Sequence, residues 1–270
     1  MNDFYTSVVV NGDQILYRGI ENGKPVSRKQ DFFPTMYVNS KKKTDWKTLF
    51  DESVEEMKPG TIRETRDFIK QYDDVQGFNI YGNSNYVQQY ISDEFRNEVL
   101  YDVDKIKVYT IDIETQTEYG FPNIRTANEQ ILLITIGDKI SKKITTFGVG
   151  PYTNNNPNVT YYECPNEDAL LRSFLGFWQS SFPDIVTGWN TEKFDIPYLV
   201  NRIKNQLGDK YVKKLSPWGS LFERKVTIRG REEQLYTING IASLDYLDLY
   251  MKFTYNKQES YKLDFICEQE

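Results

Sequence analysis

The sequence predicts a mixed α/β chain in two domains: a β-rich α+β domain over residues 1–103, then a mixed sheet flanked by helices over 104–270. Three observations carry this expectation. Runs of β-branched and aromatic residues of strand length recur along the chain, and helical apolar spacing appears between some of them. Near Asp104 the order changes from hairpin-like strands to strand, strand, strand, helix, strand, helix. With 270 residues and 15% aromatics, there is enough material for two cores.

In the first domain, Ser7 to Val10 and Gln14 to Tyr17 read as strands around a turn at Asn11, Gly12 and Asp13, and Glu21 to Lys24 marks a second turn. Thr61 to Tyr72 reads as a helix whose apolar side is Ile62, Phe68, Ile69 and Tyr72. In the second domain, Val108 to Thr115 is a strand in which every second side chain shares a face. Strands follow at Ile131 to Ile136, Ile144 to Phe147 and Val159 to Tyr162, and Asn154 to Pro157 is a loop. Asn166 caps a helix carrying Leu170, Leu171, Phe174 and Phe177. Asp184 to Trp189 is another strand, and Leu199, Ile203 and Leu207 have helical spacing after it. Thr227 to Gly240 reads as a β-hairpin with Gly230 at its turn and Arg229 and Arg231 beside it, and Ser260 as the N-cap of a last helix.

Composition removes several kinds of chemistry. The chain has no histidine, so it holds no Ser-His-Asp triad, no Cys-His pair and no His-ligated zinc. Two cysteines, Cys164 and Cys267, are too few for a disulfide framework or a zinc cluster and read as reduced thiols. No apolar run of membrane-spanning length and no signal peptide is present, which implies a cytoplasmic protein with no membrane partner. A net charge of −6 is unusual for a nucleic-acid partner, although a metal-dependent nuclease needs acidic groups at its centre. Lys41, Lys42 and Lys43 form the clearest basic run and read as a solvated turn.

Carboxylates must therefore do any chemistry. Asp112 and Glu114 alternate with Ile113 and point to one face of their strand. Asp195 precedes Pro197 at the start of a helix, where Asp is a good cap and Pro is tolerated. A strand pair and a helix-entry acid can meet in one cleft, and clustered carboxylates without imidazole favour Mg²⁺ or Mn²⁺. Asp112, Glu114 and Asp195 are the candidate catalytic and metal-binding residues. Asn190 is either a donor to a substrate backbone or a turn former, and Trp189, Phe194 and Tyr198 read mainly as core.

The Asp112-Ile113-Glu114 strand and the Gly188 to Tyr198 segment together resemble the first two exonuclease motifs of B-family DNA polymerases, with a close match to the replicative polymerases of T-even-type bacteriophages. Further matching segments lie at Phe33 to Tyr37, Tyr90 to Asp93, Leu215 to Pro217 and Leu244 to Tyr250. The resemblance implies a ribonuclease H-like exonuclease domain, preceded by the polymerase N-terminal domain with its RNA-recognition-like core. The aromatic RNA-binding motif of that core is not legible here. It also implies two-metal hydrolysis of the 3′-terminal phosphodiester of DNA, with Asp112 bridging, Glu114 orienting the water and Asp195 on the second ion.

Asn190 and Phe194 are carried over as substrate contacts, and Phe121 aligns with an aromatic that packs on the terminal bases of a single strand. The alternative for Phe121 is a loop aromatic tucked against the core. The hairpin with Arg229 and Arg231 matches one that parts primer from template. The implied partners are a single-stranded DNA 3′ end, the palm, fingers and thumb of a polymerase, and replication accessory proteins, in the cytoplasm of a host cell. The family's third motif, Tyr-x-x-x-Asp, occurs nowhere in these 270 residues. The chain is accordingly expected to stop before it, through a cut, a split gene or an incomplete gene, and to be nearly inactive alone. The competing reading is a non-catalytic module for nucleic-acid binding or polymerase assembly.

Overall fold

The structure is a computed structural model that describes residues 3–117, 120–228 and 230–270. Its backbone contacts divide the chain into two compact units, Met1–Asp102 and Val103–Glu270.

In the first unit, β1 (Phe4–Asn11), β2 (Gln14–Glu21) and β3 (Lys24–Asp31) form an antiparallel three-stranded sheet. Asn22 and Gly23 both take positive φ, 49° and 77°, as a tight two-residue hairpin turn requires. β4 (Met36–Asn39), β5 (Trp46–Lys47), β6 (Ser53–Met57) and β7 (Ile80–Tyr81) make a second sheet in the order β5-β6-β4-β7. α1 (Ile62–Tyr72) begins with a full capping box, in which Thr61 and Glu64 satisfy each other's backbone amides. α2 (Tyr86–Glu94) is capped by Asn85 and buries Tyr90 against Tyr17 and Phe32. Gln89 of α2 exchanges hydrogen bonds with the Thr35 backbone, at 2.9 Å and 2.6 Å, which ties the Phe33 to Tyr37 segment to the residue just ahead of Tyr90.

The second unit is built on a six-stranded mixed sheet. β8 (Val108–Thr115) and β9 (Ile131–Asp138) are antiparallel, as are β9 and β10 (Ile144–Val149), while β11 (Val159–Cys164) pairs parallel with β10. α3 (Glu167–Ser180) starts at Asn166, whose side chain accepts the amide of Ala169. β12 (Ile185–Gly188) lies parallel to β8, and α4 (Asp195–Leu207) follows it. α5 (Asp209–Val212) leads to the hairpin β13 (Leu221–Ile228) and β14 (Arg231–Ile238). β15 (Ala242–Asp245) adds parallel to β12, giving the order β11-β10-β9-β8-β12-β15, and α6 (Tyr246–Phe253) and α7 (Leu263–Gln269) close the chain. This is a mixed sheet with flanking helices. Its core joins Tyr109, Ile111 and Ile113 of β8 to Phe174 and Trp178 of α3 and to Tyr198, Leu199 and Ile203 of α4. Burying each such side chain stabilises the fold by about 1.5–3 kcal/mol.

Three local expectations are corrected. The hairpin begins at Leu221, not Thr227, because Leu221 pairs with Ile238 through an arm whose Glu223, Arg224 and Lys225 hide its strand character. The last helix begins at Leu263: the Ser260 hydroxyl accepts the amide of Lys262 in a local turn, so Lys262 is the N-cap. Asp195 does not cap α4. Phe194 is the N-cap, without a side-chain bond, and Asp195 is the first helical residue with its carboxylate committed elsewhere.

Candidate active site

β8 alternates strictly: Tyr109, Ile111 and Ile113 are buried while Thr110, Asp112 and Glu114 are exposed, so both acids lie on the face turned away from α3 and α4. The β8–β9 register shifts between Glu114 and Thr115, where Ile131 rather than Leu132 faces Thr115. Such a bulge turns the strand end and re-aims its side chains.

The loop from β12 to α4 sets the third acid. Gly188 has no room for a side chain, since a Cβ there would stand 2.6 Å from the Ile111 carbonyl oxygen. Asn190 has φ 64°, a left-handed turn conformation that Asn adopts readily, and its carbonyl accepts the amides of Lys193 and Phe194. The chain then enters α4 with Asp195 buried, and Asp195 Oδ1 accepts the Ile113 amide at 3.0 Å. Asp195 thus lies against the strand residue between Asp112 and Glu114.

Loss of water, then the charge of Asp112, pushes the Asp195 carboxyl up to about 7, against the lowering effect of the Ile113 hydrogen bond. Asp112 is raised as well, because surrounding protein displaces water from it even though the residue faces solvent. Two crowded carboxylates in a chain without imidazole make a donor set suited to a hard divalent cation, which would relieve their repulsion. Among the described residues, no three Asp, Glu, Cys or His side chains are gathered as a metal-holding group. Asp112 and Asp195 are electrostatic neighbours, whereas Glu114 lines an adjoining groove.

That groove, about 430 Å³, is lined by Glu114, Thr115, Thr117, Phe121 and Phe194 among others. Phe121 is 78% exposed and packs on Phe194 with ring centroids 4.9 Å apart, and Phe194 in turn packs on buried Tyr198. On its other side Phe121 borders a second groove, about 280 Å³, with Glu232, Glu233 and Gln234 of the hairpin. Of the two arginines expected near the hairpin turn, Arg231 opens β14 and Arg229 lies outside the described residues.

One residue not singled out from the sequence organises this region. Asp245, 6% exposed, accepts the amides of Asn190 and Leu247 on Oδ1 and of Glu192 on Oδ2. It caps α6 and holds the Asn190 turn with the same carboxylate. Lys193 pairs with Asp248, Glu192 with Arg224, and Trp189 Nε1 donates to the Tyr261 carbonyl at 3.0 Å. The sequence marked it only as part of the matching segment Leu244 to Tyr250, and locally an Asp before the helical run Tyr246 to Phe253 points to a cap.

Comparison with known proteins follows this geometry. A family model described as DNA polymerase family B, exonuclease domain, matches residues 67–266. The DNA-directed DNA polymerase of Escherichia phage RB69 is 32% identical over 298 residues, covering 100% of this chain and 33% of that protein. The DNA-directed DNA polymerase of Enterobacteria phage T4 is 30% identical over 296 residues, with 100% and 33% covered. The DNA polymerase catalytic subunit of human herpesvirus 8 type P is 27% identical over 176 residues, 60% of this chain and 17% of that protein. The chain spans about a third of the length of these phage relatives. It belongs to the B-family DNA polymerases, through their exonuclease domain.

Proposed function

We propose that this chain is the N-terminal and 3′→5′ proofreading exonuclease portion of a phage-type replicative DNA polymerase, with residues 1–103 as its N-terminal domain and 104–270 as its exonuclease domain. The observation that supports the reading is the hydrogen bond from the Ile113 amide to Asp195, at the strand position between Asp112 and Glu114.

Asp112, Glu114 and Asp195 would hold Mg²⁺ or Mn²⁺. When bound, such ions lower the pKa of a water and stabilise charge on a departing 3′ oxygen. Asp112 and Asp195 would supply carboxylate oxygens to the ions, Asp195 from a position that the Ile113 amide holds, and Glu114 would accept a hydrogen bond from the attacking water. Phe121 stacks on the terminal bases of a single strand, which suits an editor that must ignore sequence because every base offers a π-face. Phe194 supports the Phe121 ring, Asn190 faces the substrate backbone, and the hairpin with Arg229 and Arg231 keeps the primer end from its template. The polymerase palm, fingers and thumb, and replication accessory proteins, are the partners in the host cytoplasm. Among the described residues, no helix is long and apolar enough to cross a membrane.

A second reading, a non-catalytic module for nucleic-acid binding or polymerase assembly, is favoured by the lack of three gathered carboxylates among the described residues. The test is release of mononucleotides from the 3′ end of a labelled single strand in Mn²⁺. Release that is weak in the 270-residue chain, rises when a polymerase segment carrying Tyr-x-x-x-Asp is added, and vanishes in Asp112→Ala supports the exonuclease. Binding without release under every condition supports the module.

A further inference from the structure

α4 holds one loop along most of its length. Tyr198 donates its hydroxyl to the Glu129 carbonyl at 2.7 Å, and Asn201 Nδ2 donates to the Ile124 carbonyl at 2.8 Å. Arg202 donates to the carbonyls of Ala127 and Asn128 at 3.0 Å and 2.7 Å, and Asn205 Nδ2 to that of Thr126 at 2.8 Å. Each bond runs from a helix side chain to a loop carbonyl, so the helix dictates the course of the segment that starts at Phe121. Ala127 accordingly sits fully buried with φ 42°, a conformation that a non-glycine residue keeps only when its surroundings impose it.

Asn201 also faces the hairpin. Its Oδ1 accepts the Tyr236 hydroxyl at 2.7 Å, and that hydroxyl accepts Gln234 Nε2 at 2.7 Å. A continuous path therefore runs from Gln234 through Tyr236 and Asn201 to the Ile124 carbonyl. Asn201 and Tyr236 are 7% and 8% exposed, so water is a poor substitute for either partner. A parallel tie from Arg125 to Glu232, at 3.0 Å, is solvent-exposed and correspondingly weak.

We infer that Asn201 is a positioning residue, coupling the β13–β14 hairpin to the Phe121 loop so that the parted strands of a frayed DNA end are received at a set spacing. This rests on the exonuclease reading above and adds to it the element that joins base stacking to strand separation. Asn201 is buried, with its side-chain amide bonded to Ile124 and Tyr236, so its role is to position and not to contact substrate. Tyr236→Phe cuts the path on the hairpin side and leaves the loop fastened to α4. Asn201→Ala cuts both sides.

The experiment measures affinity of the 270-residue chain, in Ca²⁺, for two probes ending in 3′ 2-aminopurine: a single strand, and a duplex with a mismatched 3′ end. Tyr236→Phe is expected to weaken duplex binding about fivefold, on the order of one buried hydrogen bond, while single-strand affinity and base stacking stay within about twofold. Asn201→Ala is expected to weaken both; if that variant does not fold, Tyr236→Phe decides alone. Tyr236→Phe that changes both affinities by the same factor, or neither, overturns the inference and leaves the exonuclease reading standing. Wild-type protein that binds neither probe overturns that reading, and the inference with it.

Discussion

Asp195 Oδ1 accepts the backbone amide of Ile113 at 3.0 Å, so the first residue of α4 is fastened to the strand position between the two other candidate acids. The same bond fills an edge of β8 next to the shift in register at Glu114. Helix, strand and acid are thereby set in one arrangement. The cost of that arrangement is negative charge in a dry place.

The cost predicts a pH dependence. The Asp195 carboxyl is raised from its usual range to about 7 in the folded chain, so the folded state binds a proton more tightly than the unfolded state does. Its contribution to stability is fully present below about pH 4 and is lost as pH rises through about 7. Asp195→Asn keeps an acceptor for Ile113 and removes the charge. Thermal unfolding without divalent ions should show the variant more stable than wild type at pH 8, by up to a few kcal/mol, with the gap closing toward pH 4. A gap that grows on acidification would refute this.

Adding Mg²⁺ or Mn²⁺ at pH 8 should raise the melting temperature of the wild-type chain, with the rise following the logarithm of free-ion concentration. Asp112→Ala should abolish most of that rise, because it removes the proposed shared ligand. Equal stabilisation of wild type and Asp112→Ala would place the ion elsewhere.

Phe121 is mostly exposed and its loop is fastened to α4, so Phe121→Ala removes a stacking surface with little loss of core. Single-strand affinity should fall roughly thirtyfold, near the middle of the range for one base on an aromatic ring. The melting temperature should move little. An unchanged affinity in a fluorescence titration would favour a purely supporting role against Phe194.

Arg202 and Glu167 form a buried ion pair at 2.6 Å, and Glu167 also accepts the Ile131 amide at 2.8 Å. Arg202→Met should cost about 3–5 kcal/mol in urea unfolding, because a carboxylate and two loop carbonyls lose their donor. Arg202→Met combined with Glu167→Met should cost less than the single change, since no buried charge is then left alone. A double variant as unstable as the sum of the singles would show that the pair does not act as a unit.

Much of the architecture was legible because it is written in short-range periodicity. Alternation over Val108 to Thr115 marks a strand and puts Asp112 and Glu114 on one face, and the residues observed there follow that pattern. Asn166 marks the start of α3 because a cap needs only the amides of the next turn. Where local signals competed, they misled. Ser260 carries a capping hydroxyl, but it bonds two residues ahead, and Asp195 carries a capping carboxylate, but it is drawn to a strand. The charged outer arm of the hairpin hid six of its residues, since an exposed two-stranded ribbon buries little and leaves a weak apolar pattern.

What the sequence determined by itself was many of the elements, the strand face that Asp112 and Glu114 share, and the exclusion of histidine chemistry. The tertiary structure alone decided which groups meet. Asp195 finds Ile113 across 82 residues of chain, Asn201 reaches Ile124 across 77, and the Asp245 carboxylate binds amides 55 and 53 residues earlier. Periodicity specifies the side from which a residue faces its surroundings. The partner it meets depends on how α4 and the parallel strands pack to bury their apolar faces, and that packing fixes polar contacts over distances at which no local pattern exists.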